Sequence, residues 1–324
     1  MRLFGLRRVK PGKISALCGS AVRGILGVEE PGLTFPRMLL ALAPLLIGCA
    51  TPTALPTAGR AAPEKFVVRA SQYAFTTDFE VAKDDALVED LVGLRDVVFE
   101  TLQLPASSKL IRVVIFDSLE SYARFLDANH PDLPKRRAFF IQHGEDLVVL
   151  TRMGDDLKED LRHEAVHALL HSTLPTMPLW LDEGLAEYFE DGPGREAGKP
   201  QHIAALKSAA AKGWKPNLNR LEQLRDLPQM SAADYRESWL WVHYLLHRTP
   251  TTKRVLVDYL AAVRRGETKS LRSLLEVADP NYATGVAQHL ASLTTDVLPP
   301  AEDFYPRHSG GFLGGVKRLL GRQQ

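Results

Sequence analysis

The sequence predicts an α+β fold in which a small mixed sheet with helices is followed by a mostly helical half. Three observations carry this. Residues 110–116 (Leu-Ile-Arg-Val-Val-Ile-Phe) form a short β-branched run typical of a buried strand. Residues 137–142 and 146–151 are two further short runs joined by His143-Gly144-Glu145, a hairpin pattern. From 179 to about 293 the apolar spacing is helical. In chain order, 66–79 reads as extended, 80–102 as a long amphipathic helix and 110–116 as the buried strand. Ser118 suits the N-cap of a helix running to about Ala128. After the hairpin, Asp155 and Asp156 suit the start of a helix that stops before Pro175. The helical half is interrupted at 192–194, Lys215-Pro216, Pro228, Thr249-Pro250 and Asp279-Pro280, and shows no internal repeat.

The 324 residues are 45% hydrophobic, enough for a packed core. Net charge is +1, but residues 1–48 hold seven Lys/Arg against two Glu, so the chain from Cys49 onward carries −4 (1 − 5). A mildly acidic body argues against nucleic acid as the main partner. The apolar run 38–48 follows Arg37 and is too short to span a bilayer, which reads as the core of a signal peptide. It ends in Leu46-Ile47-Gly48-Cys49, which resembles a bacterial lipobox, whose cysteine is lipidated and becomes the first mature residue. The alternative is an ordinary secreted or uncleaved leader in which Cys49 is a small apolar residue. With the lipobox in use, Cys18 is discarded and Cys49 carries lipid, leaving no disulfide, so core packing must stabilise the chain. The expected organisation is a leader at 1–48, a Pro/Thr/Ala/Gly-rich tether at 49–65 and one domain at 66–297, its sheet part 66–152 and its helical part 153–297. A disordered tail with a basic end follows at 298–324, with a weak membrane or partner contact as the other reading. The expected location is the bacterial cell envelope, anchored at Cys49 and facing periplasm or exterior.

The chemistry lies in two segments. In His163-Glu164-Ala165-Val166-His167, the two histidines sit one helical turn apart on one face, so their imidazoles can converge on one tetrahedral ion. Glu164 between them is placed to reach a metal-bound water. Leu161 and Ala165 point about 160° from His163, giving that helix an apolar back and a histidine front. The bland alternative is a pair of surface histidines on a charged helix (Lys158, Glu159, Asp160, Arg162). Fifteen residues after His167 comes Glu183, within Leu179-Trp180-Leu181-Asp182-Glu183-Gly184-Leu185-Ala186-Glu187-Tyr188, which offers an oxygen ligand from a second helix.

On these segments the chain resembles the gluzincin class of metallopeptidases and, within it, the peptidase-MA-like domains, whose pattern is a His-Glu-x-x-His helix followed by a Trp-Leu-x-Glu-Gly-x-Ala-Glu-Tyr helix. The resemblance implies zinc held by His163, His167 and Glu183, with Glu164 as catalytic base and acid. It spans roughly 155–190, and more loosely 66–293. The spacer is shorter than in the aminopeptidase branch, and the preceding strand bears no obvious exopeptidase motif, so an endopeptidase acting on a peptide or protein is expected. The stretch 234–245, containing Tyr235, Ser238 and Trp239, resembles the family's Tyr-x-x-Ser-Trp helix. By that resemblance Tyr235 is the candidate donor to the oxyanion, with His243 as second choice. The other reading of Tyr235 is as one member of a core stripe with Trp239, Val242 and Leu246. Glu187, one turn beyond Glu183, is a candidate acceptor for a ligand histidine, or else a solvated helix carboxylate. His171 lies about 12 Å along the axis from His163, too far to share its ion, and reads as a polar residue at the helix end. Asp182 is left unassigned. Residues 146–151 are the expected edge against which an extended peptide pairs. The competing reading is a tethered envelope scaffold with a structural zinc or a lost activity. A structural zinc fills its fourth position from the protein, and no cysteine or histidine is placed to do so.

Overall fold

The computed structural model describes residues 61–192, 198–267 and 269–295. The leader, Cys49, most of the tether, the 298–324 tail and part of the break at 192–194 lie outside the described residues. The fold is α+β: a five-stranded mixed sheet followed by a mostly helical region.

The extended segment at the start folds back on itself as β1 (Phe66–Ala70) and β2 (Tyr73–Thr77), turning at Ser71, whose φ of 52° makes the tight reversal. The first helix, α1 (Ala86–Leu102), begins six residues later than the spacing suggests, because Asp85 caps it by accepting from the Leu87 amide at 2.9 Å. Then come β3 (Ile111–Phe116), α2 (Leu119–Asn129) capped by Ser118, and the hairpin of β4 (Ala138–His143) and β5 (Asp146–Arg152). Gly144 turns that hairpin at φ 59°. The sheet order is β1-β2-β3-β5-β4, with β2, β3 and β5 parallel and the two outer pairs antiparallel. β5 is therefore enclosed between β3 and β4, and the edges of the sheet are β1 and β4, not the expected 146–151.

The two sheet faces bury different partners. Phe139, Ile141 and Leu150 pack with Phe125 and Leu126 of α2 in a small cluster, whereas Phe140, Val149 and Val113 join the main core with α1 and the later helices. Alternation along each strand makes that division. In the main core lies α3 (Leu157–Thr173), buried over nearly its whole circumference. That is no surface helix, and its charges are matched. Arg162 donates to Asp90 of α1 at 2.8 Å and to the backbone oxygens of Phe189 and Glu190 at 3.2 and 2.9 Å. Asp160 takes Arg137 at 2.8 Å. Breaking such a buried pair costs about 3–5 kcal/mol.

The helical region continues with α4 (Leu179–Phe189), α5 (Pro200–Ala211), the short α6 (Leu218–Leu221), α7 (Ala232–His247), α8 (Pro250–Arg264), α9 (Leu271–Ala278) and α10 (Tyr282–Ser292). Pro200 and Pro250 each start a helix, where a missing N–H costs nothing. α4 is held between α3 and α7. Its approach to α7 depends on Gly184, where a Cβ would stand 2.7 Å from the Ser238 carbonyl oxygen and 2.9 Å from its carbon. Alanine is the better helix former by about 1 kcal/mol, so on propensity alone Gly184→Ala would stabilise. The backbone clash reverses the sign, and a net loss of about 1–2 kcal/mol is expected. An unchanged or raised Tm in a thermal melt would contradict the close contact.

Candidate metal centre

The crossing of α3 and α4 brings His163, His167 and Glu183 together. His163 Nε2 and His167 Nε2 are 3.2 Å apart, and Glu183 Oε2 lies 3.6 and 3.7 Å from them. All three side chains are fully buried. Four ligands placed tetrahedrally at about 2.0–2.1 Å from one zinc are separated by about 3.3–3.5 Å, so this triangle has the dimensions of one face of such a shell.

Hydrogen-bond chemistry makes the same demand. His163 Nδ1 is 2.5 Å from Glu190 Oε2, and His167 Nδ1 is 3.0 Å from Asp182 Oδ1. A carboxylate only accepts, so each Nδ1 carries the hydrogen and each neutral ring turns the lone pair of Nε2 inward. Both oxygens of Glu183 are buried with no hydrogen-bond partner. With both rings neutral, three acceptors face one point, and a cation there, a proton or a metal ion, would satisfy them. The local field favours positive charge there: burial opposes protonation of His163, yet the Glu183 and Glu190 carboxylates hold its pKa well above the usual value. Burial likewise opposes charge on His167, and Asp182 and Glu183 outweigh it. These donors fit zinc, and no cysteine is among them.

Glu164, also fully buried, has no side-chain hydrogen-bond partner for either oxygen. Burial pushes its pKa up to about 7, against the pull of His163 and His167. That value suits a group that takes and returns a proton near neutrality. Tyr235 of α7 is buried, and its phenol is held protonated by burial and by the charges of Glu183, Glu187 and Glu164, with Arg136 acting the other way. The structure therefore keeps Tyr235 as a neutral phenol on which those charges act. His243 has other partners. That ring meets His289 Nε2 at 2.8 Å through its Nδ1 and packs on Trp239 and His247.

The hydrogen bond expected of Glu187 is made by Glu190 and Asp182 instead. Glu187 binds Lys199 Nζ at 2.8 Å and His202 Nε2 at 3.0 Å. Burial raises its pKa, but the Lys199 ammonium and His202 hold it well below the usual range. Lys199, the residue before α5, also donates to Glu190 at 2.5 Å, so His163 is backed by a buried chain from Glu190 to Lys199 to Glu187. His167 is backed by Asp182, whose other oxygen is 2.7 Å from His171 Nε2. Despite its burial, Asp182 stays far below the usual carboxylate range because His171 and His167 flank it. The helical repeat of His163, His167 and His171 was a signal for this bridge; Asp182 was missed because its role depends on how α4 crosses α3.

No family model matches the sequence, and neither does any curated protein. Among solved structures, the chain is similar to the crystal structure of an M1 zinc metallopeptidase from Deinococcus radiodurans and to that of a single-residue mutant of the same enzyme. Each comparison gives 15% identity and a TM-score of 0.37 over 75% of this chain. The chain spans 54% of the length of either, about half.

Proposed function

We propose that the chain is a zinc-dependent peptidase, an endopeptidase of gluzincin type, in which His163, His167 and Glu183 hold the metal. The observation that carries this reading is the buried triangle of His163, His167 and Glu183 with the buried carboxylate of Glu164 next to His163 on the same helix. When bound, zinc supplies Lewis acidity that activates a water and polarises a carbonyl. Glu164 takes a proton from the attacking water and delivers it to the amine nitrogen that leaves. Tyr235 donates its O–H to the carbonyl oxygen as that oxygen gains negative charge, at a contribution of about 3 kcal/mol. Glu190 and Asp182 keep the histidine rings oriented and their Nδ1 protonated. An extended substrate pairs with the free edge of β4, whose Phe140 ring stacks on His167 and His171 at centroid distances of 6.5 and 5.5 Å, so the edge lies along the metal centre. The lipidated Cys49 and the tether place the domain at the bacterial envelope.

The test incubates the zinc-loaded protein with an unbiased peptide mixture, read by mass spectrometry beside Glu164→Gln. Cleavages within chains that vanish in the variant are expected. A sample holding one zinc per chain that makes no Glu164-dependent cleavage overturns the peptidase in favour of a scaffold.

A further inference from the structure

We propose that Lys199 is a positioning residue of the metal centre: its buried ammonium fills the cation position between Glu187 and Glu190, which holds Glu190 against His163 Nδ1 and confines the metal ion to the Nε2 side of that ring. The inference rests on the zinc reading of His163, His167 and Glu183. Two groups of side chains among the described residues offer three possible ligand atoms within 4.8 Å of one another: His163, His167 and Glu183, and His163, Glu187 and Glu190. His163 belongs to both, its Nε2 facing His167 and its Nδ1 meeting Glu190. Burial does not separate the two groups, because every member is buried. Lys199 does. Its Nζ stands 2.8 Å from Glu187 Oε2 and 2.5 Å from Glu190 Oε1, between the two carboxylates of the second group. In the first group no lysine or arginine pairs with Glu183 among the described residues.

The chain is built to make this contact. Lys199 precedes α5 and follows Gly198, whose φ is 88° and where a Cβ would stand 3.0 Å from Ile203 and 3.1 Å from Trp239. That left-handed, closely packed step needs glycine and brings the main chain in beside α7. The Lys199 side chain is only 8% exposed, and a lysine buried to that degree is kept only with opposite charge beside it. Here the opposite charge is in surplus, since Glu187, Glu190 and, at 4.0 Å, Asp191 surround one ammonium. Without that ammonium the same acidic wall requires another cation, and a divalent ion is the one this centre recruits. A Glu190 drawn onto such an ion no longer fixes the Nδ1 hydrogen of His163, and losing a partner of that kind lowers metal affinity about 10- to 100-fold.

The test reads metal binding by the full chain without any substrate, by calorimetry with zinc and by visible absorption with cobalt(II). The parent is expected to hold a single ion. Lys199→Ala removes the ammonium and opens its space; it is expected to hold a second ion, to bind the ion at His163, His167 and Glu183 about 10- to 100-fold more weakly, and to change the cobalt spectrum. Adding Glu187→Gln to Lys199→Ala is expected to restore a single ion, since a corner of the second group is gone. Lys199→Arg is expected to keep the parent's stoichiometry and spectrum. Lys199→Gln, which retains a hydrogen-bond donor and disturbs the packing less, is expected to lower the affinity in the same direction as Lys199→Ala. A lysine that serves stability alone would lower Tm when replaced and leave stoichiometry, affinity and spectrum as in the parent. That result, or a second ion in the parent, overturns the assignment and leaves the zinc reading standing. A parent that holds no ion overturns the zinc reading and the assignment with it.

Discussion

Replacing Glu164 by Gln is expected to lower kcat/KM for peptide cleavage by about three orders of magnitude or more while leaving one zinc per chain. General acid and base catalysis is worth about 10²- to 10⁴-fold, and Glu164 is asked to perform both halves, taking the proton of the nucleophile and giving it to the leaving amine. Gln fills the same space but cannot accept and return a proton. Zinc content is expected to hold because Glu164 lies outside the ligand triangle of His163, His167 and Glu183. The variant should also melt no lower than the parent. A carboxylate buried as Glu164 is costs more than a neutral amide, even with the Phe140 backbone N–H beside it, so Gln lowers that cost, as is common where activity requires a destabilised group. Steady-state kinetics, metal analysis and a thermal melt on the same sample check the three statements. Activity within about tenfold of the parent would remove Glu164 from the chemistry.

The second large effect concerns the metal and stability. Zinc at about a thousandfold over its Kd stabilises the folded chain by about 4 kcal/mol. For a domain of this size each kcal/mol corresponds to about 2–4 °C, so chelation is expected to lower Tm by roughly 8–16 °C. The physical source is local. His163, His167 and Glu183, with the two imidazoles at 3.2 Å and a carboxylate beside them, would hold the ion and exchange their crowding for coordination. In Glu183→Ala and His167→Ala the zinc-dependent part of the shift is expected to disappear, because each removes a corner of the triangle. Differential scanning with and without zinc measures this. A shift of equal size in either variant would place the ion elsewhere.

The parts of the fold that depend on short-range pattern were readable from the sequence. The β-branched run at β3, the hairpin turn at Gly144 and the helix carrying His163 and His167 are each set by residues within a few positions. So were the candidate residues of the triangle, since an i, i+4 histidine pair shares one face of one helix and Glu183 was implied by the resemblance of its segment to the family pattern. What depended on how elements meet was not readable. The order β3-β5-β4, and hence the free edge at β4, is a property of the whole sheet. The carboxylates behind the histidines follow from the angle between α3 and α4. Glu187 sits one turn from Glu183, yet the ring nitrogens turn to Glu190 and Asp182, and Lys199 from the next helix claims Glu187. The charges of α3 left a surface helix open as the alternative, because nothing local reveals that Asp90, 72 residues upstream of Arg162, comes to neutralise it.

X-ray absorption at the zinc edge of the loaded protein is the most direct test of the metal centre from which the proposed activity follows. The expected shell holds four light ligands at about 2.0–2.1 Å, with two imidazoles and no sulfur. The two remaining positions are oxygens, one from Glu183 and one open to solvent. In Glu183→Ala the same spectrum should show the shell disordered or the zinc lost. A shell with three or more imidazoles, a sulfur, or no change in Glu183→Ala would contradict the site.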